Sequence, residues 1–511
     1  MRINDGLKPS EKVDCSMEHS EQTFLGIDLG TSAMKLVLID DKKNVLAQLT
    51  EEYRIAQPEQ GYNEIDPIIW YDCMIKAMRR LFEKYPAGNI KGIGVTGQMH
   101  TLVTLDENGS PVRPALMWND IRTKDLIPGL KEIIKEFPEG AYLSKTISTG
   151  SPAANLYWLK LNEPENFRRV KKFLIGPDYL VYRLTGHCGT DYCEASTSCL
   201  YRIKARKWSE EMKELIGLDD EVYPEIHGSV ISAGRIKKDI ADALGLDPDT
   251  DVLTGTGDNP ATAISTGCLG QGYPVISLGT SGVLMMTVPD FRDDAMGKMI
   301  LFSFDDKEYS YLVQGAVQSN GSTFDWLVKN ILNEDYSNID RLVEERKLSE
   351  GGLIFYPHLM GDKTLYADPN LRGAFIGLST ETTRADMLYA VIQGLCFSFR
   401  ELAEKMRLPL DRFGSVKVVG GGSKSRAWMQ TLSNVLNIRI EQLNGNVGPA
   451  FGIALLAAYR HGAFPSLEKI SEGSVIVNNC FEPQEAAVKA CGELYEKYLR
   501  VHKALNYITN G

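Results

Sequence analysis

Two aspartates stand where phosphate chemistry could use them. Asp28 follows the apolar run Phe24–Ile27 and directly precedes a Leu-Gly-Thr-Ser turn, Leu29 to Ser32. A carboxylate beside a phosphate-holding turn can orient Mg2+ through water. Asp258 lies in VLTGTGDNPATAIS, which reads as strand, tight turn and helix, with Asn259 as N-cap and Pro260 at the first helical position. A carboxylate at the C-terminal end of a strand, beside glycines that let a ligand approach, is placed to act as a general base. It also reads as a helix-capping group, and the sequence leaves both readings open.

The first turn has a twin. Leu-Gly-Thr-Ser recurs at Leu278–Ser281, about half a chain later and again between two apolar runs. Gly30 and Thr31 in one turn, and Gly279 and Thr280 in the other, offer consecutive backbone N–H groups and hydroxyls with little side-chain bulk. Such a concave nest suits phosphate oxygens. One Gly-Thr turn is only a turn. Two at this separation predict two domains, each giving one phosphate-holding hairpin to a shared cleft.

The elements that must position these residues follow from the pattern. Thr23–Ile39 reads as a β-hairpin, with a third strand over Val45–Tyr53. Trp70, Met74, Ala77, Met78 and Leu81 recur at helical spacing after Asp66 as N-cap and Pro67 at the first position. IKGIGVTGQMHTLVTLD predicts two strands around a Gly-Gln-Met-His break. The crowded glycines of Gly267–Pro274 predict a hinge, after which the pattern restarts with a hairpin at Val275–Thr287. Helices are predicted near Gly321–Leu332, over Arg384–Lys405 and over Ala486–Leu505, and SVKVVGGGSKSRAWMQTLSNVL reads as strand, glycine turn, helix. Alternating strands and helices give the α/β class. The expected division is residues 1–22 as a disordered extension, 23–267 and 275–511 as two domains, and 268–274 as the hinge.

Composition narrows the function. The formal charge is −11, without a long basic run, which argues against a nucleic-acid groove or an anionic membrane surface. No apolar stretch is long enough for a membrane span, and residues 1–22 do not resemble a signal peptide. The nine cysteines fit no metal or redox spacing, so they read as thiols of a reducing cytosol. No Walker-type or dinucleotide glycine motif is complete.

Several segments in order, GIDLGTSAMKLVL, GVTGQMHTLVTLD, ALMWNDIRT, GPDYLVYRLTG, GTGDNPATA, SLGTSGVLM, VKVVGGGSKSRAWMQTLSNVL and NVGPAFGIALLA, resemble the FGGY carbohydrate kinases, and within them the xylulokinase branch. The resemblance runs from about Thr23 to about Gly462. It implies two actin-like, ribonuclease-H-like domains around a deep cleft and transfer of the γ-phosphoryl of ATP to a sugar hydroxyl with Mg2+. It implies Asp258 as the catalytic base and Asp28 on the phosphate and metal side. Met99 and His100, with Asn259, fall on the sugar, Thr31, Gly279 and Thr280 on the phosphates, and Gly421 and Gly422 on the adenosine. The small-molecule partners are a ketopentose, D-xylulose first, and ATP. A homodimer is the assembly left open, and the cytoplasm is the expected location. His100 alone also reads as a satisfied turn histidine, and Trp70 as a core residue.

Two departures stand out. Met-Gly-Asp-Lys at 360–363 replaces the more usual Ser-Gly-Glu-Arg, so Asp362 and Lys363 are expected to keep an ion pair. TDYCEASTSCLY is looser than the usual small-residue pattern. Another ketose or a polyol is therefore an alternative substrate, and an actin-like ATPase without a sugar is the reading from another class.

Overall fold

The structure, a computed structural model, describes residues 22–346, 352–366, 368, 370–444, 448–472 and 476–510. The expected extension, residues 1–22, lies outside them except for Gln22.

The opening hairpin forms as its apolar alternation requires. β1 (Thr23–Leu29) and β2 (Ala33–Asp40) pair antiparallel around Gly30–Ser32, and β3 (Val45–Glu52) continues the meander. β4 (Ile90–Gly97) lies parallel to β1 on its other side. β5 (Ser232–Arg235) is the far edge, antiparallel to β6 (Asp251–Leu253). β6 and the short β7 (Thr256–Gly257) both run parallel to β4. The strand after the Gly-Gln-Met-His break, Leu102–Leu105, leaves this sheet and joins a separate four-stranded one.

The second half repeats the plan. β8 (Val275–Leu278) and β9 (Gly282–Val288) form the twin hairpin. β10 (Lys298–Ser303) and β11 (Tyr309–Val317) extend it in the antiparallel order β8-β9-β11-β10. β12 (Ser415–Val419) and β13 (Arg439–Asn444) add parallel strands on the other side of β8, and β14 (Ile476–Phe481) closes the edge antiparallel. Thus β3-β2-β1-β4-β6 and β11-β9-β8-β12-β13 share one order and one set of directions. The duplication extends from the turns to the whole sheets.

Helices cover the sheets. α1 (Pro67–Phe82) starts where Asp66 accepts from the Ile68 amide at 3.0 Å, and it buries the Trp70–Leu81 stripe. Each large side chain on that stripe contributes about 1.5–3 kcal/mol by leaving water. Trp70 is therefore a core residue here. α2 (Tyr192–Thr197) supports β10 across the domain boundary: Ser196 Oγ accepts from the Leu301 amide at 3.0 Å. Tyr142 Oη adds to that seam by accepting from Met299 N at 2.8 Å.

α3 (Asp258–Thr266) begins two residues earlier than its sequence suggests. Gly257 is the N-cap, Asp258 opens the helix, and Asn259 is not the cap. A glycine suffices there because it takes an extended cap conformation, and its missing Cβ leaves room for Met99 and Glu194. The glycine-rich segment after it contains a helical turn, α4 (Cys268–Gln271), between Gly267 at φ 79° and Gly272 at φ 75°. Cys268 and Leu269 are buried, and the Cys268 carbonyl accepts from Thr287 Oγ1 at 2.8 Å.

α5 (Gly321–Asp325) continues as a π-helical stretch, Trp326–Ile331, within the span read as one helix. α6 (Arg384–Lys405) matches its predicted bounds and opens with a Thr383–Asp386 capping box. α7 (Arg426–Leu436) follows the glycine turn after β12. α8 (Pro449–Arg460) belongs to the second half in sequence but packs under the first sheet. A Cβ on Gly26 would lie 1.9 Å from the Ala450 carbonyl oxygen, and one on Gly452 would lie 1.9 Å from the Ala261 carbonyl oxygen. α8 thus crosses α3 and lies against β1 with backbone nearly touching backbone. Phe24, Val37 and Ile39 of the first sheet, Val275 and Met285 of the second, and Ile453 and Leu456 of α8 share one core. α9 (Glu485–Asn510) buries Cys491, Leu494, Tyr495 and Tyr498.

Candidate active site

Strand register brings the two aspartates to one end of the first sheet. Asp28 lies opposite Thr96 on β4, and Thr256 on β7 lies opposite the same Thr96. Asp258 follows two residues later, at the start of α3. One strand therefore separates the two chain segments, roughly 10 Å between backbones at the usual sheet spacing. Burial and the nearby Asp258 charge push the Asp28 carboxyl up to about 7, against a partial offset from its cross-strand partner Lys35. Burial raises Asp258 to about 6, while the amides of Asn259 and Asp258 itself hold it down. The N-cap, Gly257, has no side chain to cap α3, and the bonds from these first amides leave Asp258 readable both as a helix-end group and as a base.

The Gly-Gln-Met-His break lies beside this pair. Asn259 Nδ2 sits 3.8 Å from Met99 Sδ, and a Cβ on Gly257 would meet Met99 Cγ at 2.6 Å. His100 is held at φ 70°, a left-handed conformation that a residue with a Cβ adopts at a cost. Its Nε2 lies 3.1 Å from Lys298 Nζ at the start of β10. Burial, and then Lys298, keeps the imidazole well below its ordinary range. The ring is therefore neutral, with Nε2 accepting from the lysine. Burial lowers Lys298 in turn.

The first phosphate turn is tied to the same loop. Gln98 donates to the Gly30 carbonyl at 3.4 Å, and Tyr53 Oη donates to it as well. Trp118 donates from its backbone to Thr101 Oγ1 at 3.2 Å and from Nε1 to Thr31 Oγ1 at 3.1 Å. With Thr31 Oγ1 engaged as an acceptor, its own O–H remains available to donate.

In the second domain Asn320 Nδ2 and the Gly321 amide donate to the Gly279 carbonyl at 3.1 and 3.0 Å, and the Ser322 amide donates to the Thr280 carbonyl at 3.1 Å. Those contacts turn Thr280 outward, where it is exposed. Gly420 takes φ 98°, which lets the chain leave β12 over the Leu278 carbonyl; a Cβ there would lie 2.6 Å from that oxygen. Gly421 has open space around it. The adenosine-type turn at Gly421 and Gly422 and the phosphate-type turn at Gly279 and Thr280 are thus neighbours, as β8 and β12 are.

Residues 23–265 match the N-terminal domain, and residues 275–461 the C-terminal domain, of the FGGY family of carbohydrate kinases. The chain belongs to this family. It is an enzyme, a sugar kinase with ATP as a substrate. It is 30% identical over 94% of its length to a xylulose kinase of Staphylococcus xylosus, covering 99% of that protein. It is 32% identical over 95% of its length to a xylulose kinase of Staphylococcus epidermidis, covering 96% of it. The crystal structure of a xyloylose kinase from Brucella ovis superposes with a TM-score of 0.86 at 29% identity, over 95% of this chain and all of that one.

As a sugar kinase the chain holds groups that its sequence did not announce. Glu194 on α2 is fully buried, and its Oε2 faces the His100 amide at 3.5 Å. Burial, reinforced by Asp178, Asp191 and Asp258, keeps Glu194 well above the ordinary carboxyl range. It lies under the Met99 loop. The only signal was its place in the loosely matching TDYCEASTSCLY segment. Lys298 carried no signal, since the second domain brings it to His100 from far along the chain. The expected Asp362–Lys363 ion pair is replaced: Asp362 is buried, lies 3.4 Å from His358 Nδ1 and accepts from the Tyr366 amide at 2.8 Å. Lys363 remains exposed and adds positive charge near His100 and Lys298.

Proposed function

We propose that this kinase phosphorylates a ketopentose, D-xylulose, at its terminal hydroxyl to give D-xylulose 5-phosphate. The observation that carries the reading is the buried Asp28–Asp258 pair beside Met99, Asn259 and His100, in a chain whose curated relatives are xylulose kinases.

In this reading the sugar lies against Met99, His100 and Asn259, and ATP lies on the Gly421–Gly422 turn with its phosphates between the two Gly-Thr turns. Asp258 accepts the proton of the terminal hydroxyl. The hydroxyl oxygen bonds to the γ-phosphorus, the bond from that phosphorus to the β,γ-bridging oxygen breaks, and ADP leaves. At about 6, Asp258 is ionised at neutral pH yet basic enough to take a proton in the transition state. Turn amides and Thr31 donate to the equatorial phosphoryl oxygens.

Asp28 fits a hard cation. It is a buried carboxylate facing a second carboxylate, with Lys35 as its partial offset. Mg2+ held on its side, through water, would supply charge neutralisation of the phosphates. Closing of the domains about α4, whose end glycines are bend points, would exclude water and limit ATP hydrolysis.

Among the described residues no helix is long and apolar enough to cross a membrane. We place the reaction in the cytoplasm, with a homodimer as the assembly to test by light scattering. An ATP-coupled assay over pentuloses and pentitols decides the substrate. D-xylulose should give the highest kcat/KM. A higher value for ribulose or a pentitol would reassign the sugar, and no turnover of any pentulose or pentitol would reject the reading.

A further inference from the structure

Away from the catalytic cleft, two histidines and a glutamate converge at the boundary between the domains. His187 precedes the short strand Gly189–Asp191. Glu225 and His227 lie on the parallel strand Glu225–His227 paired with it. One ligand atom from each of the three residues falls within 4.8 Å of the others. His227 Nε2 lies 3.5 Å from a Glu225 carboxylate oxygen, and the two imidazole centroids are 5.6 Å apart.

We infer that His187, Glu225 and His227 form a binding site for a divalent transition-metal ion of the Zn2+ class, separate from the Mg2+ that serves the phosphates. Two imidazoles and one carboxylate are a frequent donor set for Zn2+ and its neighbours, whereas Mg2+ prefers oxygen donors and water. Four-coordinate bonds of about 2.1 Å put ligand atoms about 3.4 Å apart. The His227–Glu225 pair already has that spacing, and His187 has to close by about 1.4 Å at most.

Two observations favour an ion over a solvated cluster. His187 Nε2 is buried and has no hydrogen-bond partner, so one of its ring nitrogens is desolvated with nothing in return. The ring packs close against the backbone at Gly189, where a Cβ would lie 2.4 Å from that nitrogen. His227 Nδ1 lies 3.9 Å from Asp306 Oδ2, from the turn between β10 and β11 of the other domain. A carboxylate behind the second nitrogen orients a metal-binding imidazole. Glu225 is exposed and leaves the fourth position open to solvent.

The ion would sit on a seam. Immediately after His227, a Cβ on Gly228 would lie 2.3 Å from the Phe304 carbonyl oxygen, and the Ser229 and Val230 amides donate to Ser303 and Phe304 at 3.0 and 3.1 Å. On the other strand, Asp191 caps α2, which carries Glu194. A bound ion would fix both strands and hold the first domain to the β10–β11 hairpin.

The test uses the full chain, stripped of metal by chelation and kept in excess Mg2+. Titration with Co2+ should produce the visible d–d bands of a four-coordinate nitrogen–oxygen site, at one ion per chain. Zn2+ should displace it and raise the melting temperature. Glu225→Gln and His227→Gln should each weaken Co2+ binding about tenfold or more, and Asp306→Asn about 10–100-fold. Glu225 is exposed, so Glu225→Gln should melt like the parent protein without metal, and that variant keeps the comparison valid if a histidine variant folds poorly. Co2+ binding without those bands, or equal affinity in parent and Glu225→Gln, would overturn the inference.

Discussion

Replacing Asp28 by asparagine should stabilise the ligand-free protein and do so more at high pH. The folded carboxyl sits at about 7, raised from an ordinary 3.8 mainly by burial. The folded state therefore holds its proton more tightly than the unfolded chain does. No stability is lost below about pH 4, and the cost grows as pH rises until it levels off above about 7. At about 1.36 kcal/mol per pH unit, the cost is about 1.7 kcal/mol at pH 5 and about 4 kcal/mol at pH 8. Asparagine has the same shape and no charge, so it removes that growth. Any penalty from a poorly paired amide is the same at both pH values and cancels in the difference. Relative to the parent, Asp28→Asn should gain about 2.5 kcal/mol between pH 5 and pH 8. For a domain of about 250 residues that is about 5 °C in melting temperature. Thermal melts of both proteins with chelator and without nucleotide, at the two pH values, measure it. Asp178, Asp191 and Glu194 are present in both proteins and drop out. An equal melting-temperature gap at pH 5 and pH 8 would refute the reasoning, because the Asp28 charge would then carry no folding cost.

Asp258→Asn should lower turnover about 10²–10⁴-fold with sugar affinity nearly unchanged, measured by coupled assay and calorimetry; in the parent, kcat/KM should fall as pH drops through about 6, where Asp258 gains its proton. His100→Ala should cost about 1–3 kcal/mol in sugar affinity and leave ATP affinity measured without sugar nearly unchanged. A large melting drop with normal sugar affinity would instead make the His100–Lys298 contact purely structural. Gly452→Ala should destabilise by about 1–3 kcal/mol, since its Cβ would lie 1.9 Å from the Ala261 carbonyl oxygen, and denaturant titration reads it.

What was legible in the sequence was local or repeated. The twin Leu-Gly-Thr-Ser turns announced two equivalent hairpins because each turn is fixed by its own neighbours in the chain. Asp66 and Pro67 marked the start of α1 by capping chemistry alone. The start of α3 was misplaced by two residues, because Asn259-Pro260 looks like a cap-and-proline pair while Gly257 takes the cap through backbone conformation. Lys298 beside His100, and Glu194 beneath it, were not legible. Lys298 reaches His100 across the domain boundary and Glu194 from a distant segment of the first domain, and neither has a local spacing that reports it. Asp362 was read from charge alone as a partner for Lys363, but a buried carboxylate takes the nearest polar groups its fold presents, here His358 and the Tyr366 amide.

The position of α8 also bears on how the protein is made. Synthesis delivers the whole first sheet long before Pro449–Arg460 emerges from the ribosome. Until then the face of β1 around Phe24 and Gly26 lacks the helix that covers it. The first domain therefore cannot complete its packing by itself during translation, although domains commonly fold in order as they are made. A chain terminated before residue 449 would leave that apolar face open to other molecules, so an isolated first half should aggregate unless a chaperone or a separately supplied second half covers it.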